Sequence, residues 1–293
     1  MRRLSATLLL LLGVVFSTPA LASQRPTKIG VLDFGSTNLG KRVTQLLRSK
    51  FSSNSNIQLI DADLSTSAAR GVGYSGSLNM STAEARDLGA AMDAEFYVIG
   101  DSQTLRRSSS TKPLYYESYT SVFLISSRSG RLISWQRPSS DSDEANTAED
   151  KLIKSLSDEL VEQLLGAIKK AQVEERNERS IPTVSAPLIE EAPEDDKTAD
   201  AAGLRLPRPY RRLRPAYPDS AARAEAEATV DVLVDVGADG EVSQVQVARW
   251  AGFGLDETTV ATVRQLHFFP ALRNGAPIPM RVLLRYNFRK TSQ

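Results

Sequence analysis

Side chains able to do covalent or acid–base chemistry are sparse. The 293 residues hold one histidine, His267, and no cysteine. That excludes disulfides, thiolate zinc sites, cysteine nucleophiles and a lipid anchor on cysteine. One histidine makes no multi-histidine metal site, and no serine motif accompanies it, so His267 reads as structural or partly exposed. Two short strings imitate known chemistry. Gly71, Gly73 and Gly76 have the spacing of a dinucleotide-binding loop. They follow a stretch rich in Ser, Thr and Ala rather than a strand, and no acidic residue closes a second strand after them, so they read as a loop. Asp33-Phe34-Gly35 spells the magnesium triplet of kinases, yet no Gly-rich loop, strand lysine or catalytic loop precedes it. It reads as a strand end and a turn. An enzyme would need a polar pocket within residues 28–171, with Asp33 or Asp101 as its first suspects. The expectation is a protein without catalysis, cofactor or metal.

Charge is balanced overall, with a formal net charge of +1, but it is segregated locally. Glu190, Glu191, Glu194, Asp195 and Asp196 form an acidic run. It lacks the spaced ligands and turn glycine of a calcium loop, so it reads as a solvated charge run. Arg205, Arg208, Arg211, Arg212 and Arg214 then form a candidate basic patch, punctuated by Pro207, Pro209 and Pro215. It suits anionic headgroups, an envelope polysaccharide or an acidic partner. Folding back onto the acidic run, or simple solvation, are the alternatives. With no interleaved aromatic beyond Tyr210, nucleic acid is not expected.

The elements that must carry these residues fall into two groups, giving a two-domain α+β or α/β chain. Arg2 and Arg3, an apolar run at residues 8–16 and the small residues Ala20 and Ala22 read as a signal peptide over residues 1–22, cleaved after Ala22. The apolar run is shorter than the ~20 residues that span a bilayer. The expected location is therefore the periplasm; an uncleaved inner-membrane anchor is the alternative. Residues 28–171 read as a sandwich-like α/β domain. It has strands at 28–34, 57–60 and 95–100, helices at 38–51 and 81–92, a loop at 64–80, and a hairpin around Ser129-Gly130. One long helix follows, carrying Leu152, Leu156, Leu160, Leu164 and Ile168 at four-residue spacing. Residues 172–212, acidic and then rich in Arg and Pro, read as a flexible linker.

Residues 213–290 carry the most specific pattern. Val230, Val232, Val234 and Val236 alternate with polar neighbours, so one strand face is apolar. Asp239-Gly240 marks a hairpin. Val242 is out of phase with Val245 and Val247, which predicts a bulge. A helix over residues 255–266 and a last strand bearing Val282, Leu284, Tyr286 and Phe288 complete a ββαβ unit. The order of words, from Arg214-Pro215-Ala216-Tyr217-Pro218 through Gly252-Phe253-Gly254-Leu255-Asp256 and Phe268-Phe269-Pro270-Ala271 to Asn274-Gly275-Ala276-Pro277, resembles the C-terminal domain of the TonB family. Residues 28–171 are more weakly similar to the TolB N-terminal and CsgG-like periplasmic domains.

The TonB resemblance implies a domain that grips an extended segment of an outer-membrane transporter by strand addition, in the service of transmembrane transport. The candidate edge is the last strand, with Arg281, Leu283, Arg285, Asn287 and Arg289. These arginines either dock the partner or solubilise the edge. The sequence departs from the family at Glu225 and Ala228, where glycines are usual, and at Leu266-His267-Phe268, where an aromatic-basic-Phe trio is common. Its short leader also lacks the membrane-helix histidine. Contact with the ExbB–ExbD motor is therefore expected only if the N-terminus is uncleaved. A homodimer is compatible with the family, and an envelope assembly adaptor without energy transduction is the alternative role.

Overall fold

The computed structural model describes residues 25–156, 159–180, 189–193, 197, 199 and 203–290. The signal segment expected at residues 1–22 lies outside them.

The first unit runs β1 (Thr27–Val31), α1 (Asn38–Ser52), β2 (Ile57–Leu59), α2 (Ala62–Gly71), β3 (Met80–Ser81), α3 (Thr82–Ala91), β4 (Phe96–Arg107), β5 (Tyr115–Ser126), β6 (Leu132–Gln136), β7 (Ser139–Ser142), α4 (Ala145–Leu156) and α5 (Glu159–Ser180). Its sheet has the order β2-β1-β4-β5-β6, with β7 also on β5. The β1 pairings with β2 and β4 are parallel, and the rest are antiparallel. Both faces are apolar. Ile29, Val31, Phe96, Val98, Val122 and Leu124 pack under α1, α4 and α5. Tyr97, Ile99, Phe123 and Ile125 face the α2 and α3 side. Burial on both faces explains why residues 29–32 and 96–99 read as short continuous apolar runs.

The second unit runs β8 (Glu190–Glu191), β9 (Leu204–Arg205), β10 (Arg208–Pro209), α6 (Asp219–Ala224), β11 (Ala228–Val236), β12 (Val242–Trp250), α7 (Leu255–Val263), β13 (Phe268–Phe269), β14 (Ala271–Arg273), β15 (Ala276–Ile278) and β16 (Met280–Phe288). Its main sheet has the order β3-β12-β11-β16-β8. Val230, Val232, Val234 and Val236 are all buried against Leu255, Val263 and Leu266. A register shift between Asp235 and Val236 opposite Val242 matches the expected bulge.

Three expectations need correction, and a fourth holds on the described residues. The loop expected at 64–80 begins as α2. Asp61 caps it by accepting from the Asp63 and Leu64 amides, which outweighs the Ser-rich composition. The leucine ladder of residues 152–168 is helical and buried as expected on the described segments of α4 and α5. The helix expected to reach 266 ends at Val263, because Phe268 and Phe269 are drawn into pairing with β10. The linker expected over 172–212 is structured where it is described. The helix α5 runs on to Ser180, and β8, β9 and β10 pair with β16, β14 and β13. Edge pairing uses main-chain groups, so composition does not reveal it.

The two units touch directly. The two-residue strand β3 of the first unit extends the second unit's sheet beside β12. Asn79 just before it donates to the Thr229 and Trp250 carbonyls (2.8 and 2.7 Å) and accepts from the Thr229 amide (3.0 Å). Trp250, 1% exposed, leaves the second unit to fill the first unit's core, where its indole donates to the Gly130 carbonyl at 3.0 Å. Gly252 follows at φ +73°, and a Cβ there would meet the Phe123 ring at 2.5 Å, so this approach requires glycine.

Asp256 sits in the first turn of α7 and reaches back to the Ala251 and Gly252 amides (2.9 and 2.8 Å). Burial pushes its carboxyl up from 3.8 to about 7, against those two hydrogen bonds. A raised acid favours the folded state in its protonated form. That contribution is complete below about pH 4 and is lost as pH rises through about 7. The thermal midpoint should therefore fall by about 5 °C or more between pH 5 and pH 8. In Asp256→Asn that slope should flatten; an equal slope in both proteins would place the titration elsewhere.

Candidate functional site

The strand β16 is paired with β11 along its whole length, from Met280 opposite Val236 to Phe288 opposite Ala228. Among the described residues, its other side is covered only at Met280 and Arg281, by the parallel pair Glu190 and Glu191 of β8. The Ala192 amide donates to the Arg281 carbonyl at 2.8 Å. That bond sets the phase of the strand. Arg281 turns its N–H and C=O outward, and with a period of two so do Leu283, Arg285 and Asn287. No register shift interrupts β16 against β11. Among the described residues nothing pairs with the outward main chain of these last three. The alternate residues Val282, Leu284, Tyr286 and Phe288 pack toward α7.

The side chains of the outward set lie on the opposite face, and two of them are already engaged. Asp235 (2% exposed) receives Arg281 through two bonds of 2.6 and 2.9 Å. Asp231 (6% exposed) receives Arg285 at 2.7 and 2.9 Å. Arg249 of β12 approaches Asp231 at 3.6 Å. The hydrogen bonds to these carboxylates hold both guanidinium groups above their ordinary pKa. The forks therefore neutralise carboxylates that β11 buries. Asn287 accepts from the Thr229 hydroxyl at 2.8 Å. Leu283 is half exposed between the two ion pairs, a large apolar side chain at the centre of an open edge. Arg289 is exposed just beyond the strand end.

Residues 214–289 match the family model of the Gram-negative bacterial TonB protein C-terminal domain. This segment is a TonB C-terminal domain. The solved TonB C-terminal domain of Pseudomonas aeruginosa is similar at 22% identity, covering 30% of this chain and 89% of that one, with a TM-score of 0.26. The LpoB C-terminal domain of Salmonella enterica aligns at 16% identity over 41% of this chain and 86% of that one, with a TM-score of 0.29. The lipoprotein GNA1162 of Neisseria meningitidis aligns at 12% identity over 48% and 99%, with a TM-score of 0.33. No curated protein matches the chain in sequence.

The departures of this TonB domain from the family pattern have local explanations. Glu225 stands at φ +50° as the C-cap of α6, a conformation that favours glycine. Its carboxylate joins Lys290 (2.8 Å) to Arg107 of the first unit (2.9 Å), and these cations hold its pKa down. His267 is exposed and its Nδ1 lies 2.9 Å from Glu241 Oε1, an ordinary surface pair.

Arg205 pairs its main chain with Leu272 and Arg208 with Phe269, while Arg211, Arg212 and Arg214 are exposed along the approach to α6. Of the two imitation motifs, Phe34 is a core residue with no exposure, and Gly71 to Gly76 follow α2 rather than a strand. They bring Asp33, Asp101, Arg70 and Tyr74 to one cleft of about 570 Å³, in which burial pushes the Tyr74 phenol above its ordinary pKa. No helix among the described residues is long and apolar enough to cross a membrane. Sequence reasoning missed Asn79 and Trp250. Their roles arise from contacts 120 to 171 positions away along the chain.

Proposed function

We propose that this is an exported envelope protein that acts by binding and not by catalysis. Its TonB domain takes an extended segment of an outer-membrane transporter along the outer edge of β16. The observation that carries this is the row of outward main-chain groups at Leu283, Arg285 and Asn287, continuing a line on which β8 already lies as a strand. An added strand satisfies those groups, and the main-chain bonds give affinity without a dedicated pocket. The exposed Leu283 side chain adds an apolar contact beside the edge.

Leu283 is the informative position. Proline there deletes an outward donor while the inward ladder to β11 keeps its bonds. In titrations with synthetic N-terminal segments of outer-membrane transporters, Leu283→Pro should weaken binding by about ten-fold, while Leu283→Ala should weaken it less. Equal affinity for Leu283→Pro and the unaltered chain would remove β16 from the docking surface.

A second reading, an assembly adaptor that transmits no force, is favoured by the packing around Trp250. A partner held on β16 is then held against the first unit as well, through these contacts between the units. Association with ExbB–ExbD would favour transport, and it requires the leader to remain uncleaved. N-terminal sequencing of the protein from cells separates the cases: a start at Ser23 excludes the anchored transducer.

A further inference from the structure

A second cleft, of about 590 Å³, lies on the first unit between the start of β1, the β5–β6 turn and the outer half of α5. Arg25, Arg128, Arg176 and Arg179 line it, and they come from three separate stretches of sequence. Its acids are Glu95 and Glu175. The lining therefore carries a surplus of two positive charges, on a chain whose whole net charge is only +1.

The arginines are arranged as well as abundant. Glu175 is 6% exposed, and its carboxylate accepts from the Ser126 hydroxyl at 2.5 Å and the Ser129 hydroxyl at 3.4 Å. That carboxylate pins α5 onto the β5–β6 turn, and its other oxygen lies 3.8 Å from Arg128 Nη1 in a loose ion pair. The Glu175 carbonyl in turn accepts from Arg128 Nη1 at 2.8 Å and Arg179 Nε at 3.4 Å, which tethers two guanidinium groups to one atom. Arg25 and Arg176 line the same cleft with no partner among the described residues. Gln172 and Thr27, bonded to each other at 3.0 Å, add neutral polar groups to the wall. Like charges gathered on one concavity repel, and a bound anion relieves that repulsion. Guanidinium groups present planar forks that match phosphate oxygens, and two of these four are already held in place.

The geometry points to a binding site for a phosphate-bearing anion, a diphosphate or a phosphate ester, in the cleft between α5 and the β5–β6 turn. It is independent of the β16 edge: the ligand is an oxyanion and the residues belong to the other unit. The phosphate could arrive on a soluble ester or on a lipid headgroup, and the two sources are separable.

The test is titration of the full chain with inorganic pyrophosphate at low ionic strength. In parallel, the chain is co-sedimented with phosphatidylglycerol vesicles and with phosphatidylcholine vesicles. The variant is Arg25→Ala/Arg176→Ala, which removes the two partnerless arginines and should leave the melting temperature unchanged. Saturable pyrophosphate binding that weakens about ten-fold or more in the variant supports the site. Binding to phosphatidylglycerol vesicles alone, lost in the variant, supports the same site with a headgroup as its source. Binding to neither probe, or binding that the variant leaves intact, overturns the proposal. Competition by acetate as strong as that by pyrophosphate overturns the phosphate assignment.

Discussion

Replacing Trp250 with alanine should destabilise the protein by about 3–5 kcal/mol, the usual cost of emptying a large buried aromatic site, and both units should register the loss. The indole belongs to β12 of the TonB domain but is packed in the core of the other unit, 5.9 Å from the Phe123 ring and bonded to the Gly130 carbonyl. Phe253 adds a second aromatic link, 5.4 Å from Phe123 and 5.6 Å from Trp135. Chemical denaturation followed separately by near-ultraviolet signal and by amide exchange in each unit should give one coincident transition in the unaltered chain. In Trp250→Ala the midpoints should fall and separate. Trp250→Phe should retain most of the packing and lose only the indole hydrogen bond, about 1 kcal/mol. A Trp250→Ala protein as stable as the parent would mean that the units do not support one another.

The second large effect is expected at Arg281. Asp235 is buried on the face of β11, and Arg281 is the cation that satisfies it. Arg281→Ala leaves that carboxylate without its partner in a site water scarcely reaches, at a cost of about 2–4 kcal/mol. The cost comes from the stranded charge, so removing the charge as well should recover most of it. The double change Arg281→Met/Asp235→Val should approach parental stability in the same denaturation measurement. If the single and double variants were equally unstable, packing rather than charge would be the cause. Arg285 and Asp231 repeat the arrangement four residues along the ladder, two pleat repeats away. Both pairs bear on docking indirectly, by holding β16 flat against β11 while its far edge stays open.

What could be read from sequence follows the range of the forces involved. The alternation of Val230, Val232, Val234 and Val236 is a local pattern, and all four are buried. The Ser81–Glu84 capping box is likewise local and is present with both of its hydrogen bonds. The apolar phase of Val282, Leu284, Tyr286 and Phe288 also identified which face of β16 meets α7. The roles of Arg281 and Arg285 were not legible, because exposed arginines on a strand look alike whether or not a buried aspartate lies across the ladder. The pairing of Met80–Ser81 with β12 was invisible for a different reason. Two residues carry no periodicity, and the partner is over 160 positions distant. The arginines of the α5 cleft are scattered at 25, 128, 176 and 179, so the dense run from Arg205 to Arg214 drew attention that the folded chain gives to the scattered ones.

The claim that the TonB domain binds by strand addition on β16 is tested most directly by residue-resolved amide exchange. The full chain is measured alone and with a saturating synthetic segment from the N-terminus of an outer-membrane transporter. The main-chain amides of Leu283, Arg285 and Asn287 face outward on the open edge and should become protected together. Those of Val282 and Leu284, already bonded inward to β11, should change little. Binding that leaves the three outward amides unprotected, or that protects the opposite edge on β12 instead, would contradict the account.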